Sequence, residues 1–302
     1  MKLGTRGSAL ALAQSRAIAE KLGAEIVVIE SEGDTSTAPL ADLGGTGVFA
    51  TALRTALRNG DVEAIVHSFK DLPTAPADGL AIAAVPSRAD ARDGLCARDG
   101  LTLDTLPEGA RIGTGSPRRR AQLLARRPDL DVVDIRGNVD TRLGRVGSDD
   151  AERTLDAVVL AIAGLGRLGR SDAVTHVLEL AWWPTAPAQG ALAVETRVGE
   201  TSIAAKLDHA PSRLAVDAER GVLARLEAGC AAPVGATAFL EDGMMFLSGR
   251  VYAPDGSAEI TASHALYVSD SKNPAAELAA RVADELLDAG AATLAPLGGS
   301  SS

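Results

Sequence analysis

Strand-length apolar runs alternate with helix-length stretches through the first two-thirds of this chain, and that alternation commits it to α/β architecture. Met1–Thr5, Glu25–Glu30 and Ala64–Ser68 read as strands. Helices are expected at Ser8–Leu22, with Leu10, Ala13, Ala17 and Ile18 towards the core, and at Phe49–Asn59. Residues 84–90, Ala-Val-Pro-Ser-Arg-Ala-Asp, read as a linker. A second α/β run comes next, with strands at Gly94–Ala97, Arg111–Gly113, Asp131–Ile135 and Ala157–Ile162 and a helix at Pro117–Arg127. It closes on Pro184-Thr185-Ala186-Pro187, a second rigid crossing. The rhythm predicts mainly parallel sheets, and two linkers around one α/β unit are compatible with two lobes joined by a hinge.

The last third changes period. Arg213–Ala228 reads as a helix with Leu214, Ala218, Val222 and Leu226 on one face and Gly229 as its C-terminal cap. Strands are expected at Ala236–Leu240, Met244–Tyr252 and Glu259–Val268, the first two joined through Asp242-Gly243, a hairpin signal. A helix from Pro274 to Ala289 completes a small α+β domain with a three-stranded antiparallel sheet.

Aromatic residues make up only 3% of a chain that is 46% hydrophobic, so Ala, Val and Leu must fill the cores. No apolar run approaches the length of a membrane span. The N-terminus lacks a secretory pattern, so a cytoplasmic protein is expected. Two separated cysteines and four scattered histidines suggest neither a disulfide framework nor a metal site. A formal net charge of −10 argues against affinity for nucleic acid.

Against that acidity, arginines crowd residues 111–145. Thr5-Arg6-Gly7-Ser8 lies between a strand and a helix, where Ser8 can cap and the free N–H groups favour an anion. Gly113-Thr114-Gly115-Ser116-Pro117-Arg118-Arg119-Arg120 repeats the design, with Ser116 as cap, Pro117 at the first helical position and arginines in the opening turn. Cations there oppose the helix dipole by a few tenths to about 1 kcal/mol each, which a bound anion would reverse. Arg136-Gly137-Asn138-Val139-Asp140-Thr141-Arg142 and Arg167 come after two further strands. Four such loops suit a ligand with several carboxylates, bound at the carboxyl ends of the strands. Arginines solvating helix surfaces are the plain alternative.

His67-Ser68-Phe69-Lys70-Asp71-Leu72-Pro73 ends a buried strand. Asp71 can accept protons from ring nitrogens or stabilise a developing cation, and Lys70 can neutralise a carboxylate; a surface ion pair is the alternative. Cys230 sits on a Gly/Ala/Pro loop with little packing to do, whereas Cys96 lies in an apolar strand and belongs to the core. Gly164-Leu165-Gly166-Arg167-Leu168-Gly169 matches a dinucleotide fingerprint. The chain beyond Gly169 runs into Trp182-Trp183-Pro184 rather than a helix and an acid-ended strand, so nucleotide binding is not expected.

Taken in order, these segments resemble porphobilinogen deaminases: Gly-Thr-Arg-Gly-Ser at 4–8, His-Ser-x-Lys-Asp-x-Pro at 67–73, Gly-Thr-x-Ser-x-Arg-Arg at 113–119, Arg-Gly-Asn at 136–138 and Gly-Cys-x-x-Pro-x-Gly at 229–235. Leu-Ala-x-Ala-Gly-Leu at 160–165 and Pro-Ala-Gln-Gly-Ala at 187–191 match as well. The resemblance implies two hinged, periplasmic-binding-protein-like α/β domains, at 1–86 with about 189–206 and at 92–184. A small α+β domain from about 213 to 302 would carry the cofactor loop.

The resemblance further implies a dipyrromethane cofactor held on Cys230 through a thioether, and Asp71 as the catalytic aspartate. Ser68, Lys70, Asp71, Thr114, Ser116, Arg118, Arg119 and Arg142 match cofactor-binding positions. Arg6, Ser8, Gln14, Arg136 and Arg167 match substrate positions. Porphobilinogen would lose ammonia to give an azafulvene, the terminal pyrrole would attack it, and four rounds would give an enzyme-bound hexapyrrole that water cleaves to hydroxymethylbilane. The enzyme would be a monomer without metal, nucleic-acid or membrane partners. Each pyrrole carries an acetate and a propionate, a load that arginine forks suit.

The chain departs from the family pattern in a few places. Asp42 and Thr46 stand where many relatives carry lysines, Asp140 replaces a frequent glycine, Ala231 replaces a polar residue, and Arg120 adds a charge. Two rival readings are a two-lobed anion-binding protein without catalysis, which fits the lobes but not Cys230, and a phosphate- or nucleic-acid-binding regulator, which the net acidity disfavours.

Overall fold

The structure is a computed structural model and describes residues 1–30, 47–150, 154–229 and 232–297. The chain divides into two compact units, residues 1–89 with 188–216 and residues 90–187 with 217–302. The first begins with β1 (Lys2–Thr5), α1 (Ala9–Leu22), β2 (Glu25–Val28), α2 (Gly47–Asn59), β3 (Ala64–Ser68) and β4 (Leu80–Ala84). The second opens on β5 (Asp93–Ala97), β6 (Arg111–Gly113), α3 (Pro117–Arg126), β7 (Asp131–Val133), α4 (Val139–Leu143), β8 (Ala157–Ala161), α5 (Ile162–Arg167) and β9 (His176–Leu178). The chain then returns to the first unit as β10 (Leu192–Arg197). It continues through α6 (Ala210–Arg225) to β11 (Val234–Glu241), β12 (Met244–Tyr252), β13 (Glu259–Tyr267) and α7 (Pro274–Asp288).

The first sheet has the order β2-β1-β3-β10-β4 and the second β7-β6-β8-β5-β9. Neither is mainly parallel, as the βαβ rhythm had suggested. β1 runs parallel to β2 and β3, but β10 opposes both β3 and β4; β6 runs parallel to β7 and β8, but β5 opposes both β8 and β9. The reason lies in the connections. β5 is the first strand of its unit and β10 the strand on which the chain returns, so neither is delivered by the helical crossover that enforces parallel pairing. Each slots in against both of its neighbours. The third sheet, β11-β12-β13, is antiparallel as expected. Asp242 and Gly243 take φ of 49° and 78° in its first turn, the mirror-image turn that matches strand twist.

Helix faces follow packing rather than residue type. On α1 the buried positions are Gln14, Ser15, Ile18 and Ala19, and Ala17 is exposed, contrary to expectation. The polar pair is satisfied internally: Gln14 Nε2 donates to Ser68 Oγ at 2.8 Å and Ser15 Oγ to Thr5 Oγ1 at 2.7 Å. α6 buries Ala218, Val222 and, just past its end, Leu226, while Leu214 is half-buried. Its cap differs from expectation: Glu227 takes the left-handed φ of 49°, and Gly229 does not. The helix ends earlier than the hydrophobic pattern suggested, so the reversal falls two residues before the glycine.

In the second unit Leu95, Ile112, Leu123, Val159 and Trp183 share one core cluster. The β12–β13 turn lies directly on α3. A Cβ at Gly256 (φ 76°) would stand 2.5 Å from Ala125 N and 2.7 Å from Ala121 O. Gly256→Ala combines a strained φ with a clash on rigid helix backbone. It is expected to destabilise this unit by about 1–3 kcal/mol or more, read as a lowered Tm. An unchanged Tm would mean the turn does not pack there.

Candidate active site

In the first unit β1 and β3 are parallel neighbours, so their carboxyl ends deliver Arg6–Ser8 and Ser68–Asp71 to the same side. Ser8 caps α1, its Oγ accepting from Ala11 N at 3.3 Å. Arg6, Ser8, Gln14, Ser68 and Asp71 line one cavity of about 90 Å³, with His67 in its wall. Asp71 ends a short 3₁₀ turn, Phe69–Asp71, and is exposed; Lys70 Nζ donates to Gln189 Oε1 at 3.2 Å.

Behind this cavity lies a buried ion cluster that the sequence reading missed. Arg54 grips Glu195 through both oxygens at 2.9 Å, and His67 Nε2 lies 3.2 Å from Glu195 Oε2. Burial pushes the Glu195 carboxyl up, but the hydrogen bonds from His67 and Arg54 outweigh it and hold the group below its ordinary range. The only hint in the sequence is an acid inside the apolar strand Leu192–Arg197.

In the second unit Ser116 caps α3, accepting from Arg119 N at 3.4 Å, and Thr114 is buried just before it. The arginines of the opening turn do not splay outward. Arg118 and Arg119 are 4% and 6% exposed and converge on Asp93, which is fully buried. Arg118 Nη2 donates to Asp93 Oδ2 at 2.9 Å, Arg119 Nη2 to Oδ1 at 2.6 Å, and Trp183 Nε1 to Oδ2 at 2.9 Å. Burial alone would raise the Asp93 pKa, but the charges of Arg119 and Arg118 dominate and hold it far below the usual carboxylate range. Part of the counter-charge that the sequence reading ascribed to a bound anion is therefore internal. Asp93 opens β5, one residue ahead of the apolar stretch from Gly94 that marks the strand in sequence.

Two guanidinium groups share this one carboxylate. Arg118 Nε is buried with no partner. Nearby, Arg142 Nε donates to Gly137 O at 2.8 Å; burial first, then the charges of Arg119 and Arg136, lower its pKa. Burial also lowers that of Arg167, at the end of α5. Arg136 is exposed beside Asp134 at 3.5 Å, and Asp140 pairs with Arg170 at 2.8 Å. Gly164 and Gly166 lie within α5 rather than in a turn before a helix, so the phosphate-loop geometry of a dinucleotide site does not form there.

A family model for the porphobilinogen deaminase dipyromethane cofactor binding domain matches residues 1–205, and one for the porphobilinogen deaminase C-terminal domain matches residues 213–288. The chain belongs to the porphobilinogen deaminase family. Curated relatives bearing that name include one from Leifsonia xyli, 58% identical over 99% of this chain and 95% of its own. Another, from Thermobifida fusca, is 52% identical over 96% and 94%, and one from Cutibacterium acnes is 50% identical over 100% and 98%. Among solved structures, a putative methionine-binding lipoprotein from Bacillus subtilis aligns with 68% of this chain and 87% of its own at 14% identity and a TM-score of 0.38, a superposition too loose to carry an argument.

For a porphobilinogen deaminase the second unit's residues fit the cofactor. A group rich in carboxylates suits a cluster with more cation than anion and an orphaned N–H on Arg118. Cys230 and Ala231 lie outside the described residues, as do Asp42 and Thr46. Cys96 is 2% exposed, and burial pushes its thiol up to about 11, which leaves it inert at neutral pH.

Proposed function

We propose that Asp71 is the catalytic carboxylate of hydroxymethylbilane synthesis and Cys230 the cofactor attachment point. The reaction joins four porphobilinogen molecules head to tail, releasing four ammonia, and takes up one water to free the linear product. The cavity that brings Arg6 and Asp71 together carries this reading. One cation can clamp a substrate carboxylate, and one carboxylate can accept the pyrrole N–H. As ammonia leaves the aminomethyl carbon, positive charge spreads onto the ring nitrogen. The Asp71 carboxylate opposes that charge without itself having to move. Gln14 fixes Ser68, and Ser8 lines the same cavity.

Arg6, Ser8, Gln14, Arg136 and Arg167 are assigned to the substrate carboxylates and their orientation. Ser68, Lys70, Thr114, Ser116, Arg118, Arg119 and Arg142 are assigned to the cofactor. When bound, the dipyrromethane supplies the pyrrole α-carbon to which the units are joined. A division into three domains is part of the reading, supported by the family models' separate C-terminal segment. So are a monomeric state, a cytoplasmic location and the lack of affinity for nucleic acid, the last supported by the net charge of −10. Among the described residues no helix is long and apolar enough to cross a membrane.

The test is stoichiometry. Purified protein incubated with porphobilinogen is expected to release four ammonia for each linear tetrapyrrole formed. Substrate bound but never consumed would instead make it a binding protein.

A further inference from the structure

The second unit holds another cavity, of about 420 Å³, between α3 and the β12–β13 turn. Trp183 touches the cofactor cluster through Asp93, but Trp182, Arg126, Arg250 and Glu259 take no part in the chemistry above. Trp183 and Tyr252, each 1% exposed, close its floor, and the half-buried Trp182 stands edge-on to Trp183 with ring centroids 5.7 Å apart. At the rim the Arg126 guanidinium lies 5.6 Å over the Trp182 ring. Arg250 donates from Nη1 to Trp182 O at 3.4 Å and pairs with Glu259 at 3.2 Å, yet its buried Nε has no partner.

The lining thus sets two guanidinium groups against one carboxylate, Glu259. Arg126 also meets Asp104 at 3.8 Å, but both side chains are more than half exposed, and water screens that pair. A half-buried π-surface, a cation already poised over it and one positive charge in excess define a ligand class. An aliphatic acid would meet the charge and forgo the ring faces. A neutral arene would leave the second positive charge unanswered. Inorganic phosphate would gain nothing from the tryptophan wall. The volume falls within the ~300–1,000 Å³ usual for small-molecule pockets.

We propose that this cavity is a second binding site, for an arylacetate-type carboxylate, with the planar ring against Trp182 and the carboxylate on Arg250 and Arg126. The chain's only two tryptophans are Trp182 and Trp183, so tryptophan emission reports this cavity together with the Asp93 cluster that Trp183 touches, and the Arg126 variants separate the two. Phenylacetate titrated into the intact protein is expected to change that emission saturably. Cyclohexylacetate and phenylacetamide should each bind about tenfold more weakly or not at all, the scale of a lost cation–π or charge-assisted contact. Arg126→Ala is exposed enough to fold normally and should weaken phenylacetate about tenfold. Arg126→Lys, which keeps the charge, should fall between the two. Three results would each overturn the site: no saturable change, equal binding of cyclohexylacetate, or an unchanged affinity in Arg126→Ala. Turnover with porphobilinogen is measured separately and does not decide the question.

Discussion

Asp71→Asn is expected to fold with an unchanged Tm and to lose turnover by about 10²–10³-fold. Asp71 is exposed at the end of a 3₁₀ turn, so little packing depends on it. Asn has the same shape but no charge. It can still accept one N–H from a pyrrole, but it cannot oppose the cation that forms as ammonia departs. Removing one preorganised electrostatic group of this kind costs on the order of 10²–10³ in rate. Because Arg6 and Ser8 remain, KM for porphobilinogen should move far less than kcat, the pattern of an interaction made in the transition state. Steady-state kinetics on folded, cofactor-loaded variant decide the point. Turnover within a few-fold of the parent would remove Asp71 from the chemistry.

Asp93→Asn should produce the largest loss of stability. The carboxylate is fully buried and is the shared partner of two nearly buried guanidinium groups. Neutralising it leaves two like charges in low dielectric without their shared carboxylate. Breaking a buried pair in this way costs about 3–5 kcal/mol, a Tm lowered on the order of ten degrees. The pH dependence has a definite sign. The folded-state pKa of Asp93 is depressed, so its contribution is fully present above the unfolded value near 3.9 and is lost as pH falls below it. The deficit of Asp93→Asn should therefore be constant from about pH 5 to 8 and shrink under acid. Adding Arg119→Met to Asp93→Asn should restore part of the loss, since it removes one of the stranded cations. A double variant less stable than Asp93→Asn alone would contradict the charge argument. Cofactor loading should fail in Asp93→Asn even where it folds, because Arg118 and Arg119 lose the group that aims them.

These two residues differ in how far the sequence exposes them. Asp71 was legible because its place is local: a buried strand ends, a short turn comes next, and a polar side chain is left facing out. The same logic placed Arg6, Ser8 and Ser116 at strand ends and helix caps. Asp93 was not legible, because its partners lie 25 and 26 residues away and the meaning of a buried acid depends on what folds over it. Without it, the arginines of the α3 opening turn look entirely available to a ligand, when part of their charge is answered from within. The antiparallel β5 and β10 escaped notice for a related reason. Periodicity marks a strand but not the direction from which the chain arrives. On α1, residue type itself misled: Gln14 and Ser15 face inward because Ser68 and Thr5 meet them there. The motif for the cysteine loop was clear in sequence, and its chemistry is open to direct measurement.

That measurement is the intact mass of the purified, reduced protein beside its Cys230→Ala variant. The account predicts added mass equal to two deaminated porphobilinogen units on the parent, or its appearance after incubation with porphobilinogen, and none on the variant. An unmodified parent that stays unmodified in the presence of porphobilinogen, or equal modification of Cys230→Ala, would contradict it.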